Sequence, residues 1–262
     1  MITEAADLQA VANLLWTAQS TCKPCAPIRE LISSGDPKLA YAVQEFNTNR
    51  RLAEGARMVG RKVGLTSHVV QKQLGVDQPD FGMLFADMAV SDGEQVLLSR
   101  LIQPKVEAEI AFVLGRDLEI SQPTADDLLR TIDFAVAAIE IVDSRIQNWD
   151  IGLGDTIADN ASSAMYVLGT QRKLLREIDL VGCAMTMNRR SETVSAGTGE
   201  SCLGNPLTAA LWLATTMARV GRPLKAGDII LSGALGPMVQ VKSGDTFDVN
   251  VSGLGSVGVT FV

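Results

Sequence analysis

Two glutamates lie two residues apart in a stretch that is otherwise typical of a buried β-strand. The segment QPKVEAEIAFVLG, residues 103–115, carries Glu107 and Glu109 among apolar side chains. Because side chains alternate along a strand, both carboxylates are expected on one face, about 7 Å apart along the chain. Burying unpaired carboxylates is costly, and two neighbours also repel each other. The pattern therefore predicts a compensating positive charge close to both.

A third carboxylate occurs in a comparable apolar setting. Glu140, in AAIEIVDS, has an isoleucine on each side. Three acidic residues on two apolar strands suit a divalent cation such as Mg²⁺ or Mn²⁺, because these ions prefer oxygen ligands. The alternative is a set of ion pairs with Lys105, Lys62 or Arg145. Glu140 favours the metal, but E-x-E is a weak motif, and both explanations stay open at this point.

The number of histidines limits the mechanisms that the chain can use. His68 is the only histidine in 262 residues, so a mechanism with a histidine base needs it beside a nucleophile. A G-x-S-x-G nucleophile turn is absent from the sequence. His68 lies in LTSHVVQKQLG, where the pattern predicts an exposed helix start. A triad-type hydrolase is therefore not favoured.

Three further segments carry polar side chains of the kind that active sites use. Lys62 begins KVGLTS at the end of a predicted strand, and the amides and hydroxyls of that turn suit an anionic group. Asp80 lies in QPDFG, which we interpret as a turn, and Ser162 lies in ADNASS, which we interpret as a tight loop. From the pattern alone, a structural role is favoured over a catalytic one for each segment.

The elements that would position these residues fall into two regions. Apolar side chains at helical spacing predict one helix over residues 4–20 and a second from Pro37 to about residue 58. Beyond that point, short β-branched segments separated by glycine turns predict strands, with helices at TADDLLRTI and PLTAALWLATTMARVG. We therefore expect a helical N-terminal region, residues 1–58, and a β-rich catalytic domain, residues 59–262. The predicted strands include MVGRKVGL, EQVLL, VEAEIAFVLG, the end of FAVAAIEIVDSR, SAMYVLG and LVGCAMTMNRR.

Composition argues against several classes of function. The chain has 23 Lys+Arg against 30 Asp+Glu, a net charge of −7, so a nucleic acid would meet repulsion. No apolar run approaches the roughly 20 residues of a membrane span, and MITEAADLQAVANLLW does not fit a signal peptide, so we expect a cytoplasmic protein. Cys22 and Cys25, in CKPC, match a redox spacing but follow a predicted helix, which favours two reduced thiols.

Taken together, an ordered set of segments closely resembles one enzyme family. GRKVGLTS, LGVDQPDFGMLFADM, QPKVEAEIAFVLGRDL, EIVDSRIQNWD, DTIADNASS and LSGALGPM occur in this order. They resemble the 2-hydroxypenta-2,4-dienoate hydratases of the fumarylacetoacetate hydrolase-like superfamily, over essentially the whole chain. The resemblance implies an α+β fold with a mixed β-roll core and a short helical N-terminal region. It also implies hydration of 2-hydroxypenta-2,4-dienoate to 4-hydroxy-2-oxopentanoate in aromatic meta-cleavage catabolism.

The same resemblance implies roles for individual residues. The metal ligands of the family fall on Glu107, Glu109 and Glu140, so the compensating charge would be Mg²⁺ or Mn²⁺. Burial beside that metal is expected to lower the pKa of an active-site lysine into a useful range for proton transfer. The active-site lysine, the acid of the QPDFG loop and the serine of the ADNASS loop correspond to Lys62, Asp80 and Ser162.

The resemblance leaves one alternative activity and several expected partners. The 4-oxalocrotonate decarboxylases share the three glutamates, VDSR and ADNASSA, whereas DQPDFG and SGALGP favour the hydratase. We expect a small 2-oxo or 2-hydroxydienoate substrate, a homo-oligomer (a pentamer or decamer) and a complex with another enzyme of the pathway. A purely structural subunit is the non-enzymatic alternative, and the presence of Lys62 and all three glutamates argues against it.

Overall fold

The computed structural model describes residues 5–32, 37–67, 71–72 and 76–262. Two helices lead into the fold, α1 (Ala5–Thr21) and α2 (Pro37–Ala53). They pack on each other through Val11, Leu15 and Val43, and the Asn47 side chain donates a hydrogen bond to the Ala12 carbonyl (2.9 Å). The same apolar cluster includes residues 146, 157 and 158, far along the chain. The N-terminal helices therefore pack against the segment that follows the central strands.

The second helix is shorter than the sequence pattern predicted. It ends at Ala53 rather than near residue 58, because Gly55 adopts a left-handed conformation with φ of 90°. The Ala56 amide then donates to the Arg51 carbonyl (2.9 Å), which closes the last turn. The first strand begins at Met58. The division of the chain into two regions at this point stays a prediction.

Beyond these helices, the described residues include two sheets and three further helices for which bounds can be given. The strands are β1 (Met58–Gly64), β2 (Asp80–Phe85), β3 (Ala89–Val90), β4 (Gln95–Val96), β5 (Lys105–Leu114), β6 (Ile132–Val142), β7 (Ser163–Leu168), β8 (Ala184–Arg189), β9 (Glu192–Thr198), β10 (Ile229–Ala234), β11 (Val239–Gln240), β12 (Thr246–Val251) and β13 (Gly255–Phe261). The helices are α3 (Ala125–Thr131), α4 (Leu153–Ala158) and α5 (Pro206–Arg219). Single 3₁₀ turns lie at Ala86–Met88, Leu98–Arg100, Gln147–Trp149, Asn160–Ser162, Leu175–Glu177 and Gly199–Ser201.

The larger sheet carries the central strands of the molecule. Its order is β2-β1-β10-β5-β6-β7-β3, and β11 also pairs with β5. The pairs β1–β10 and β3–β7 are parallel and the others are antiparallel. The smaller sheet has the order β4-β13-β12-β8-β9. Mixed sheets with a few helices confirm the predicted α+β class.

The core forms around β5 and β6. Both strands are apolar along nearly their whole length, and Ile110, Phe112, Ile139 and Ile141 are fully buried. Strands buried on both faces are expected to show such continuous apolar runs rather than alternation. Within the described ranges, no helix combines the length and apolar character needed to cross a bilayer.

Most predicted elements are confirmed, one local prediction was wrong, and one predicted strand is shorter than expected. Helix α3 begins with the Thr124 cap, whose hydroxyl accepts from the Asp127 amide, and α5 begins with Pro206. The QPDFG segment is not a turn at Asp80, because β2 starts there and pairs with β1. In EQVLL, only Gln95 and Val96 pair with another strand, and a 3₁₀ turn follows at Leu98–Arg100.

Candidate metal centre and active site

Three glutamates converge where β5 and β6 pair. Glu107 lies directly across from Glu140 in the antiparallel register, and Glu109 follows on the same face of β5. One carboxylate oxygen from each of the three lies within 4.8 Å of the others. Glu109 and Glu140 are fully buried, whereas Glu107 is partly exposed. The sequence-based prediction that the two glutamates of β5 share a face is confirmed.

One basic side chain meets this cluster. Lys62 Nζ lies 3.2 Å from Glu140 Oε2 and donates a hydrogen bond to the Ala161 carbonyl (3.1 Å). The other two candidates make other direct contacts. Lys105 Nζ lies 4.1 Å from the centre of the Trp149 ring, although its charge still acts to lower the pKa of Glu107, and Arg145 pairs with Asp159. Ion pairing therefore compensates one of the three carboxylates among the described residues.

Several carboxylate oxygens of the cluster accept no hydrogen bond. Glu109 Oε2 accepts from the Gly233 amide (2.8 Å), but Glu109 Oε1 and both oxygens of Glu140 have no hydrogen-bond donor among the described residues. Buried acceptors without donors are rare in folded proteins because they cost free energy. Three carboxylates with unused oxygens fit a hard divalent cation. The residues present therefore fit a metal ion.

The pKa values of the glutamates show the same excess of negative charge. Burial, and next the charge of Glu140, raise the pKa of Glu107 to about 7 from its ordinary 4.5. The same two causes raise the pKa of Glu109 well above its ordinary value. In the chain alone, the cluster therefore tends to hold protons that a bound cation would displace.

The pKa of Lys62 is raised in the chain without a bound metal. Burial works to lower it, but the attraction of four nearby carboxylates, Glu140 first among them, outweighs burial and raises the pKa above its ordinary value. The sequence did not show how closely Glu140 approaches the ammonium, and the expected lowering of the pKa beside a bound metal stays a prediction. Lys62 is therefore a protonated group in this site.

Asp80 lies beside Lys62, over the α-carbon of Gly64. Asp80 pairs with Gly64 across β1 and β2, and a methyl group on Gly64 would lie 2.1 Å from Asp80 Oδ1 and 3.3 Å from Lys62 Nζ. The Thr156 hydroxyl donates to Asp80 Oδ2 (3.3 Å), while Oδ1 has no hydrogen-bond partner among the described residues. Burial raises the pKa of Asp80. Asp80 is thus a buried carboxyl beside Lys62 with one oxygen available for a further contact.

Ser162 lies in a left-handed turn behind these groups. Asn160, Ala161 and Ser162 have φ values of 55°, 51° and 53°. The Ser162 hydroxyl donates to Asp159 Oδ2 (3.4 Å), and Asp159 forms a buried ion pair with Arg145. Burial raises the pKa of Asp159 to about 6 although Arg145 opposes the shift. The predicted contact of Ser162 with substrate or water stays a prediction.

A cavity of about 440 Å³ opens beside the glutamates. Glu107 forms part of its wall, which explains why this glutamate is the partly exposed one. Residues 63–67, which are the end of β1 and the segment after it, line another side of the cavity, and Ala234 and Met238 contribute apolar surface. The volume lies within the range of small-molecule sites. His68 lies outside the described residues, so its predicted helix position is not addressed.

Sequence reasoning missed three groups of the site. They are the Gly233 amide, the Thr156 hydroxyl and the Ala161 carbonyl. Two of them are backbone atoms, which no residue type reveals. At position 233 the sequence signal is the glycine itself. Its φ of 111° suits glycine, and an added methyl would lie 2.2 Å from Thr66 Oγ1.

Known proteins resemble this chain over its whole length. A family model described as fumarylacetoacetate (FAA) hydrolase C-terminal matches residues 54–262. The chain is 60% identical over 253 residues to 2-keto-4-pentenoate hydratase 2 of Dechloromonas aromatica (strain RCB), and the aligned region covers 97% of each chain. It is 57% identical over 254 residues to 2-keto-4-pentenoate hydratase of Burkholderia vietnamiensis (strain G4 / LMG 22486), again 97% of each.

A solved structure shares the complete fold. The 4-oxalocrotonate decarboxylase from Pseudomonas putida G7, complexed with magnesium and adipate, has a TM-score of 0.94 at 33% identity. The match covers 100% of this chain and 99% of that chain. A second structure of that decarboxylase is complexed with calcium and acetate, with a TM-score of 0.93.

Proposed function

Because this chain belongs to the fumarylacetoacetate hydrolase family, we propose that it is a metal-dependent hydratase that adds water to 2-hydroxypenta-2,4-dienoate and releases 4-hydroxy-2-oxopentanoate. The relatives at 60% and 57% identity are named as hydratases of 2-keto-4-pentenoate, the keto form of this dienol. The enzyme is thus a hydro-lyase of an aromatic meta-cleavage pathway. It acts on a short 2-oxo acid.

One structural observation carries the proposal. Glu109 and Glu140 have buried oxygens without hydrogen-bond donors, and they lie beside Glu107, which lines a cavity. Lys62 is in contact with Glu140. A structural ion-pair network would satisfy those oxygens with basic side chains. This cluster instead keeps more negative charge than its one ammonium balances, as a cation site does.

A divalent cation is the cofactor of this proposal. Glu107, Glu109 and Glu140 would hold it, and both structures of the related decarboxylase contain such an ion. We propose Mg²⁺ or Mn²⁺, since both favour carboxylate oxygens. When bound, the cation supplies a Lewis acid for the negative charge that develops on the 2-oxygen of the substrate.

The first chemical step moves a proton from the 2-hydroxyl of the dienol to C5. Asp80 is our candidate carrier, because burial raises its pKa and its Oδ1 has no hydrogen-bond partner among the described residues. The Thr156 hydroxyl keeps the other oxygen in place. A carboxylate can accept a proton and a carboxylic acid can return it, and a raised pKa favours the protonated form. The product of this step is an α,β-unsaturated 2-oxo acid.

The second step adds water across C3 and C4. Hydroxyl is added at C4 and a proton arrives at C3, which gives 4-hydroxy-2-oxopentanoate. Lys62 is our candidate donor of that proton, since its ammonium is protonated and held by Glu140 and the Ala161 carbonyl. The proton released by the added water restores the ammonium. Ser162 would hold substrate or water in this scheme.

The alternative activity is decarboxylation of 4-oxalocrotonate. The TM-score of 0.94 to a 4-oxalocrotonate decarboxylase favours it as the second candidate, whereas 60% identity to a hydratase against 33% favours hydration. The purified protein should be given each substrate with and without Mg²⁺ or Mn²⁺, and the products identified by NMR. Metal-dependent formation of 4-hydroxy-2-oxopentanoate supports the proposal, and release of carbon dioxide from 4-oxalocrotonate as the faster reaction overturns it.

Other parts of the proposal concern the surroundings of the enzyme. The resemblance supports a cytoplasmic location and a homo-oligomer, either a pentamer or a decamer. It also supports a complex with another enzyme of the same pathway. Sedimentation of the purified protein, alone and with the candidate partner, tests both kinds of assembly.

A further inference from the structure

A strained turn lies directly behind the site. Asn160, Ala161 and Ser162 are three consecutive residues other than glycine with positive φ, and Ala161 and Ser162 are buried. Side chains with a β-carbon disfavour this conformation, so a run of three persists only where the surroundings impose it. The contacts that impose this conformation therefore indicate the role of the turn.

The first anchor of the turn is the side chain of Asn160. Its Oδ1 accepts from the Met83 amide (2.7 Å) and its Nδ2 donates to the Met83 carbonyl (3.0 Å). Gly82 makes room for this contact, because a methyl group there would lie 2.3 Å from the Asn160 carbonyl oxygen. Met83 and Gly82 lie on β2, and Gly82 pairs with Lys62 on β1. The turn is thus fixed to the two strands that carry Lys62 and Asp80.

The second anchor of the turn is the side chain of Arg145, which is buried. Its guanidinium donates to the carbonyls of Asp143 (2.8 Å) and Ser163 (3.0 Å) and pairs with the Asp159 carboxylate. The Ser162 amide in turn donates to the Asp159 carbonyl (3.0 Å). Arg145 therefore holds the residues immediately before and after the turn. Contacts with Arg145 thus fix both ends of the strained segment.

The clamped turn presents one backbone atom to the site. The Ala161 carbonyl accepts a hydrogen bond from Lys62 Nζ (3.1 Å), and Glu140 Oε2 lies 3.2 Å from the same nitrogen. An ammonium has three N–H groups; the Ala161 carbonyl accepts one of them, and the ion pair with Glu140 holds the nitrogen beside the glutamates. Glu140 alone would leave the ammonium free to rotate toward the other carboxylates.

We propose that the turn Asn160–Ser162 is a positioning element for Lys62, and that Asn160 and Arg145 are the positioning residues that hold it. The inference rests on the proposed hydratase function, in which Lys62 delivers a proton. Neither residue touches the substrate in this account. They act through the Ala161 carbonyl on the direction of the Lys62 ammonium.

The first test compares Asn160→Ala with Asn47→Ala. Each removes an asparagine that bonds to backbone, but Asn47 joins α1 to α2. We expect Asn160→Ala to lower kcat roughly 10- to 100-fold, with KM and Mg²⁺ affinity within about twofold. Asn47→Ala should retain the wild-type kcat even if its Tm is lower than that of the wild type. Wild-type kcat in Asn160→Ala, or an equal loss in both variants, overturns the proposal.

The second test asks whether Asn160 acts through Lys62. In a Lys62→Met background, Asn160→Ala should change the remaining rate by less than about twofold, because coupled residues do not contribute independently. A loss as large as that in the wild-type background means that Asn160 acts by another route and contradicts the proposal.

Crystal structures separate this proposal from the proposed function. In wild type, Lys62 Nζ should contact the Ala161 carbonyl, and in Asn160→Ala the turn should relax and Nζ should leave that carbonyl. An unmoved Nζ in the variant contradicts the positioning role, whatever reaction the enzyme catalyses. A wild-type protein without hydratase turnover would instead contradict the proposed function, while the displacement still reports on the turn.

Discussion

Glu107 and Glu140 lie directly opposite each other on neighbouring antiparallel strands, inside a cluster of three carboxylates. Like charges in that arrangement destabilise a sheet. The fold nevertheless keeps both, and one ammonium, that of Lys62, is in contact with the cluster among the described residues. The proposed cation, bound between the two strands, accounts for this pairing.

Replacing Glu107 should change stability and activity in opposite directions. Glu107→Gln removes a like charge across the strand pair, so the metal-free variant should be more stable than wild type by roughly 0.2–1 kcal/mol at pH 8. Turnover should fall on the order of 100-fold, at least as much as a lost supporting residue of a metal site costs. Thermal unfolding and the hydratase assay measure the two effects.

A surface substitution provides the control for that experiment. Glu54→Gln removes an exposed carboxylate that pairs with Arg50, and stability should change by less than about 0.5 kcal/mol with full turnover. Metal-activated turnover at the wild-type level in Glu107→Gln would refute the ligand role of Glu107.

The stability of the metal-free protein should fall as pH rises from about 5 to 7.5. The pKa of Glu107 is about 7 in the fold and 4.5 ordinarily, so the folded state holds a proton that the unfolded chain has lost in this interval. Stability then decreases with pH. Mg²⁺ replaces the proton, so its stabilising effect on Tm should be larger at pH 8 than at pH 5.5. A pH-independent Mg²⁺ effect would contradict this linkage.

Asp80→Asn should slow proton exchange without weakening the metal site. Since the amide cannot carry a proton to carbon, incorporation of solvent deuterium at substrate carbons should fall at least roughly 100-fold. Mg²⁺ affinity should stay within about twofold of wild type. Thr156→Val, which removes only the hydrogen bond to Asp80, should show a smaller loss. Unchanged deuterium exchange in Asp80→Asn would exclude Asp80 as the carrier.

Gly64→Ala should damage the site more than the fold. The added methyl would meet Asp80 Oδ1 at 2.1 Å and Lys62 Nζ at 3.3 Å. We expect a cost of about 1–3 kcal/mol from crowding and a loss of about 100-fold in kcat from the displaced groups. Gly152→Ala is the matched control, since its methyl meets neighbours only at 3.5 Å and beyond. Equal kcat in both variants would show that the close packing at Gly64 has no catalytic importance.

Local pattern was enough to predict part of this site. The alternation of side chains along a strand placed Glu107 and Glu109 on one face, and Glu140 in an apolar strand suggested a third ligand. Pattern alone could not place Glu140 across from Glu107, because the register between β5 and β6 depends on contacts that are distant in sequence. The resemblance to a family, rather than spacing, selected Lys62 and Asp80.

Backbone geometry was the part that sequence could not reveal. Proline before Asp80 suggested a turn, but pairing with β1 extends the chain from that residue. Asparagine tolerates positive φ, whereas Ala161 and Ser162 carry no such signal, and the left-handed turn depends on anchors elsewhere in the fold. The pKa of Lys62 could not be assigned either, since its direction depends on the distance to Glu140.

Anomalous diffraction from crystals soaked in Mn²⁺ tests the central claim most directly. The account predicts one strong peak between β5 and β6, within roughly 2.5 Å of an oxygen from each of Glu107, Glu109 and Glu140. Crystals of Glu107→Gln should show a weaker peak or none. Wild-type crystals without a peak at that position, with the carboxylates hydrogen-bonded to one another and to Lys62, would contradict the account.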